Sequence, residues 1–309
     1  MAEPTEPELP RGIALAWGVA ASPQRGPKRE MSVERIVEAA VEIADAEGLA
    51  AVSMAAVANR LGFTPMSLYR YVSAKEDLLL LMQEEATGLP AEEALAADGW
   101  REGLTALYRG QIQTYLRHPW VLDIPITGSP ATPNSSAWMD AGLRALADTP
   151  LTHDERLAVM LLVTGEARWA GIVLAGYART QRERGIAGEE LTRYEDALYR
   201  TLVTADAYPH LRAAIDAGVF LDDSDPFSWG LERTLDGVAA YIERAAEGRH
   251  AERVPWVAPA DADIAGDKRF RDAQKTVQAA EKAVRDARRV ERQAAREARE
   301  RLARRADRD

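Results

Sequence analysis

Apolar residues recur three and four apart along almost the whole chain. No stretch of useful length alternates at the period of two that a half-buried strand requires. Alanine, leucine, glutamate and arginine dominate, and these are strong helix formers. The pattern predicts an all-α fold. With 309 residues the chain is long enough for two domains of ordinary size.

The clearest periodic run opens at Ser32, a natural N-cap, with Val33, Ile36, Val37, Ala40, Val41 and Ala44 on one stripe and Gly48 as its stop. A second helix starts at the cap Ser53 and buries Val57, Ala58 and Leu61. Gly62 then supplies the positive φ that a tight inter-helix turn needs. The third helix, about eight residues, starts at Thr64 with Pro65 in its first turn. Ser73 to Glu76 reads as a capping box opening a fourth.

Three short helices with a glycine turn after the second form a helix-turn-helix whose third helix can enter a major groove. Leu68 and Val72 face inward, which leaves Met66, Ser67, Tyr69, Arg70 and Tyr71 on other faces. Arginine grips guanine edges, serine reads either kind of base edge, and tyrosine and lysine commonly hold phosphates. Lys75, in the first turn of the next helix, opposes the helix dipole unless an anion binds there. Overall the chain carries a net charge of −10, which by itself argues against DNA. Residues 59–75, however, contain Arg60, Arg70 and Lys75 and no acid. Three-helix units also serve as packing modules in proteins that never meet DNA, so the pattern alone leaves both readings open.

Residues 33–82 resemble the N-terminal domain of the TetR family of bacterial repressors. The resemblance rests on "IVEAAVEIADAEG", "SMAAVANRLGF" and "SLYRYVSAKEDLL" in that order. It implies a homodimeric all-α repressor on a palindromic double-stranded DNA operator, released by a small-molecule effector that binds a splayed state better. Carried onto this sequence, the family's DNA contacts fall on Ser53, Met54, Ala55, Thr64, Pro65, Met66, Ser67, Tyr69, Arg70, Tyr71 and Lys75. Met54 and Ala55 stand where many members have a polar residue, which shifts base reading toward Arg70. Lys28 and Arg29 in the basic cluster "QRGPKR" either reach DNA as an arm or are solvated linker charges.

Further helices are predicted over 100–117, 133–147, 152–184, 189–204, 207–217 and 225–247, the third of these opening on a Thr152–Glu155 capping box. The stretch "DPFSWGLERTLDGVAAYI" resembles the last dimer helix of tetracycline-repressor-like C-terminal domains. Phe227, Leu231, Leu235, Val238 and Ile242 are then expected at the dimer interface, together with the 152–184 helix. Candidate effector contacts are Trp100, Tyr108, His118, Trp138, Glu166, Trp169 and Tyr177. The competing reading of these aromatics is plain core. With no cysteine, and with His118, His153, His210 and His250 far apart, the chain offers no metal motif and no cofactor site. No Ser/His/Asp grouping or phosphate loop supports catalysis, so an enzyme is not expected. The alternative is a helical small-molecule-binding protein or enzyme whose N-terminal unit only packs, and a third is a helical scaffold organised by its tail.

The expected organisation is a flexible arm over 1–31, the DNA-binding domain over 32–82, a ligand-binding and dimerisation domain over 83–247, a linker over 248–266 and a basic helical tail over 267–309. From Lys268 onward there are 15 basic and 8 acidic residues, a net +7, against 24 and 41, a net −17, before it. The tail reads as a solvated helix, a loose self-pairing through Phe270, Val277 and Val284, or a second nucleic-acid contact. Alanine at most of its core positions disfavours a strong coiled coil. No apolar run is read as spanning a bilayer. Glu3, Glu6 and Glu8 ahead of "GIALAWGVAAS" argue against a signal peptide, so a cytoplasmic protein without membrane partners is expected.

Overall fold

The computed structural model describes residues 9–19, 31–126, 128, 131–252, 263–264 and 266–306, and among these there is no strand. Two compact units emerge, Met1–His250 and Ala251–Asp309. The first begins with α1 (Arg11–Ala16), α2 (Val33–Glu47), α3 (Met54–Leu61), α4 (Pro65–Leu68) and α5 (Lys75–Thr87). Then follow α6 (Glu92–Ala96), α7 (Trp100–Arg117), a 3-10 turn at Pro119–Asp123 and α8 (Pro133–Ala145). The unit closes with α9 (His153–Arg184), α10 (Gly188–Leu202), α11 (Pro209–Asp216) and α12 (Pro226–Ala246). Among its described residues the second unit has one helix, α13 (Lys268–Ala306).

The caps follow the sequence closely. Ser32 Oγ accepts from Arg35 N, Ser53 Oγ accepts from Ala56 N, and Asp225 accepts from the backbone of Phe227 and Ser228. Thr152 and Glu155 form the expected capping box, which fixes the start of the longest helix of this unit. Gly62 takes the left-handed conformation at φ 76°, so α3 can stop and α4 can cross it.

Three expectations change. Residues 11–16 are not an irregular arm but a helix packed on α5, where Gly12 is buried. The third head helix is four residues long, because Tyr71 N turns back to Leu68 O at 2.8 Å instead of continuing the α-helical ladder. Ser73 makes no capping box. Ala74 is the extended N-cap, and Ser73 Oγ donates to Asp77 Oδ2 at 2.8 Å.

Two cores organise the first unit. The head core gathers Ile36, Ala40, Val57, Leu68, Val72 and Leu78, and Tyr115, Trp120 and Val121 from beyond the head join it. The body core gathers Leu104, Leu107, Val163, Ala167, Leu231 and Leu235. The α7–α9 and α8–α9 contacts depend on two glycines. A Cβ on Gly171 would lie 2.5 Å from the Tyr115 ring, and one on Gly142 would lie 1.7 Å from Met160 Sδ.

Among the described residues, α9 alone is long and apolar enough to cross a membrane, which the sequence reading did not find. The cause is apolarity on two faces. Val159, Val163, Ala167 and Ala170 enter the core, while Leu157, Leu161, Leu162 and Trp169 stay exposed.

Candidate nucleic-acid interface

The head presents one surface built from the start of α3, from α4 and its following turn, and from the start of α5. Leu68 and Val72, both fully buried, fix this segment to the core. Ser53, Ala55, Thr64, Pro65, Arg70 and Lys75 are exposed. Met66 is 73% exposed and Tyr69 is 45% exposed, large apolar areas for so short a segment. Ser67 is half-buried, and its hydroxyl donates to the Thr64 carbonyl at 2.6 Å.

Two predicted contacts do not belong to that surface. Met54 shares the buried face of α3 with Val57 and Ala58, at helical spacings of three and four, and enters the head core. Tyr71 is half-buried against the same core, so less of its ring is available than of Tyr69. Lys28 and Arg29 lie outside the described residues.

The charges of the head are unequally committed. Arg60 pairs with Glu42 at 2.8 Å. Asp77, in the first turn of α5, is occupied by Gly12 N at 2.9 Å and Ser73 Oγ. Arg70 and Lys75 have no ion-pair partner among the described residues, and Lys75 occupies the first position of α5, where backbone N–H groups are unpaired. Two cations, a helix N-terminus and exposed aromatic area on one face are suited to phosphate and base-edge contact.

The seven candidate effector residues do not converge. Tyr108 is 1% exposed and its hydroxyl has no hydrogen-bond partner among the described residues. Burial, then the charges of Glu166 and Asp225, push its pKa up to about 12. Next along α7, Gln111 Nε2 reaches Thr164 Oγ1 at 3.4 Å while its buried Oε1 is unpaired. Glu166 is tucked beneath α12, where a Cβ on Gly230 would lie 2.8 Å from its Oε1. Tyr108, Gln111, Thr164 and Glu166 thus make a polar seam along α7 and α9. Of these only Tyr108 and Glu166 are singled out by sequence, because Gln111 and Thr164 carry neither charge nor an aromatic ring.

The other candidates are placed elsewhere. His118 Nδ1 lies 2.7 Å from Asp45 Oδ1, which ties body to head, and Trp138 Nε1 donates to the Gly88 carbonyl at 3.0 Å, which ties α8 to the end of α5. Trp169 is 60% exposed. Trp100 borders an open cleft of about 530 Å³ with Arg101 and Arg109. Tyr177 donates to Glu195 at 2.8 Å beside a cleft of about 250 Å³. That hydrogen bond, then burial, pushes its pKa up to about 12.

Residues 36–82 match the family model "Bacterial regulatory proteins, tetR family", and residues 89–242 match "Tetracyclin repressor-like, C-terminal domain". The HTH-type transcriptional repressor DrrR1 of Streptomyces coeruleorubidus is 34% identical over 254 residues, 80% of this chain and 90% of that protein. The chain belongs to the tetR family. It is therefore a DNA-binding transcriptional regulator and not an enzyme.

An HTH-type transcriptional repressor of Mycobacterium tuberculosis is 26% identical over 254 residues, 79% of this chain and 94% of that protein. The fold is shared with apo ActR of Streptomyces coelicolor, at a TM-score of 0.57 and 22% identity over 72% of this chain and all of that one. ActR in complex with actinorhodin aligns at a TM-score of 0.57 and 24% identity, over 68% of this chain and 96% of that one.

In this tetR-family chain several hydrogen bonds join head to body. Asp45 Oδ1 meets His118 and also accepts from Trp120 Nε1 at 2.6 Å. Within the body, Glu84 near the end of α5 accepts from Asn134 N at 2.6 Å. Arg168, on α9, donates to the carbonyls of Leu122 and Ile124 at 2.9 and 3.3 Å, which links the long body helix to the 3-10 turn that carries Trp120.

Proposed function

We propose that the protein is a cytoplasmic, homodimeric repressor that binds a palindromic operator and leaves it when a small-molecule effector binds the body. The observation that carries this reading is the uncompensated face of Met66, Tyr69, Arg70 and Lys75, held by the buried anchors Leu68 and Val72. Ser53, Ala55, Thr64, Pro65 and Ser67 complete the face. Arg70 reads a base edge, and Lys75 with the α5 N-terminus holds a phosphate. Repression is supported by DrrR1 and the mycobacterial relative, each an HTH-type transcriptional repressor.

Release by an effector is supported by the polar seam at Tyr108 and Gln111. Its buried, unpaired oxygens are costly as they stand, and a ligand able to donate to Gln111 and accept from Tyr108 would remove that cost. ActR, of the same fold, has been crystallised with actinorhodin. The struts at Asp45 and Arg168 give a bound ligand a mechanical path to the head. A small change in head separation suffices, because operator half-sites sit about 34–36 Å apart.

The test is fluorescence anisotropy with the DNA upstream of the protein's own gene. Arg70→Ala is expected to weaken binding at least about tenfold and relax selectivity at one base position. Lys75→Ala is expected to weaken all sequences alike and reduce the salt slope by about 1. Unchanged affinity in both variants would refute the reading.

A further inference from the structure

Of the described side chains of α13 only Phe270 and Ala298 are half-buried, and the others, Val277, Val284 and Val290 among them, are in solvent. Its cations are ordered. Arg271, Lys275, Lys282, Arg285 and Arg289 are separated by 4, 7, 3 and 4 residues, which places them on one face of the helix. In the sequence the same spacing continues through Arg292, Arg296 and Arg299. Asp272, Glu281 and Asp286 fall at its flanks, and Glu291 on the far side. The ion pairs Lys275–Asp272 and Arg289–Asp286, both 3.6 Å and exposed, neutralise little. From residue 271 to 289 the stripe spans about 27 Å at 1.5 Å per residue.

We propose that this stripe is a second, sequence-independent contact with duplex DNA, holding the phosphate backbone beside the operator. The proposal rests on the operator reading above, which brings a duplex to the protein. A second copy of the helix would bury mostly alanine along its seam, a weak reason to pair. The acidic groups elsewhere in the chain, 41 of them, are interspersed with 24 basic ones. A duplex instead offers one negative charge per roughly 1.7 Å in an unbroken line, and that continuous charge matches a row of cations along one helix face.

The experiment uses the full chain with Arg271, Lys275, Lys282, Arg285 and Arg289 all changed to Gln, which retains helix propensity. A companion carries Arg271→Lys, Arg285→Lys and Arg289→Lys and keeps the charge. Binding is measured across a salt series on the upstream duplex and on a scrambled duplex of equal length. The Gln variant is expected to lose affinity for both duplexes by the same factor, at least about tenfold at low salt. Its salt slope should flatten by about 0.9 for each phosphate contact removed, while selectivity between the two duplexes stays unchanged. The Lys variant should bind like the parent. Equal affinity and slope for parent and Gln variant would overturn the proposal. Tighter binding by the Gln variant would also overturn it, because the stripe would then be covering the chain's own acids. If the parent does not distinguish the two duplexes, the operator reading fails on its own, and the Gln comparison still decides the role of the stripe.

Discussion

Asp77 Oδ1 accepts the backbone N–H of Gly12 at 2.9 Å, joining α1 to the first turn of α5 across 65 residues of sequence. The contact admits no side chain at position 12. A Cβ there would lie 2.8 Å from Asp77 Oδ1 and 3.2 Å from its Cα, and backbone cannot swing aside. The other end of the same segment is tied to the body, where Trp17 Nε1 donates to the Ala131 carbonyl at 2.7 Å. Gly12→Val is therefore expected to release α1 while leaving the cores intact. Hydrogen exchange should show residues 11–16 unprotected, and trypsin should cut at Arg11 faster. The melting temperature should fall by no more than a few degrees, because a six-residue helix opens locally.

Asp45 holds the larger junction. Its Oδ1 meets both His118 and Trp120, and the Trp120 indole is almost wholly buried. Asp45→Ala leaves that indole N–H without an acceptor and is expected to cost about 1–3 kcal/mol in urea unfolding. Asp45→Asn keeps an acceptor oxygen and should cost less than half as much. An equal loss in the two variants would show that the carboxylate charge, not the acceptor, matters.

Glu155 sets an acid limit on stability. Burial alone would raise its pKa, but hydrogen bonds from Tyr241, Thr152 and His250 outweigh burial and hold it at about 2, against an ordinary 4.5. A carboxylate depressed in the folded state contributes stability above its unfolded pKa and loses it as pH falls through the folded value. Unfolding free energy is thus expected to decline between about pH 4.5 and pH 2 on this account. Glu155→Gln should flatten that limb, measured by denaturant titration at each pH.

The head was legible in the sequence because caps, glycine turns and short-range periodicity specify it almost alone. Ser32, Ser53 and Gly62 act locally, and the structure uses them as their types suggest. Met54 misled because a family position and a helical face gave opposite answers, and the spacing with Val57 and Ala58 decides for burial. The body was legible as helices but not as a site. Which face of an apolar helix turns inward depends on partners distant in sequence, as Leu231, Leu235 and Val238 show. Expected at a dimer interface, they are buried in the chain's own core. Phe227 and Ile242 are partly buried against that same core.

That correction moves the expected subunit contact to the faces left over. On α9, Leu157, Leu161, Leu162, Trp169 and Ile172 are exposed, and on α12 so is Trp229. Water-facing area of this kind on one helix is unfavourable by about 25 cal/mol per Å² until covered. A second copy can cover it with the same residues across a two-fold axis, giving a self-complementary four-helix contact. Leu161→Glu with Trp169→Glu places like charges at that contact without touching the core, since neither side chain is buried in the single chain. The double variant is expected to sediment as a folded monomer, with helical circular dichroism retained. Leu235→Ala is expected to behave oppositely, losing about 2–5 kcal/mol of stability as a core deletion while the refolded fraction remains dimeric. Sedimentation velocity and urea unfolding on the two variants separate the faces. A dimer that survives both glutamates would return the interface to another surface.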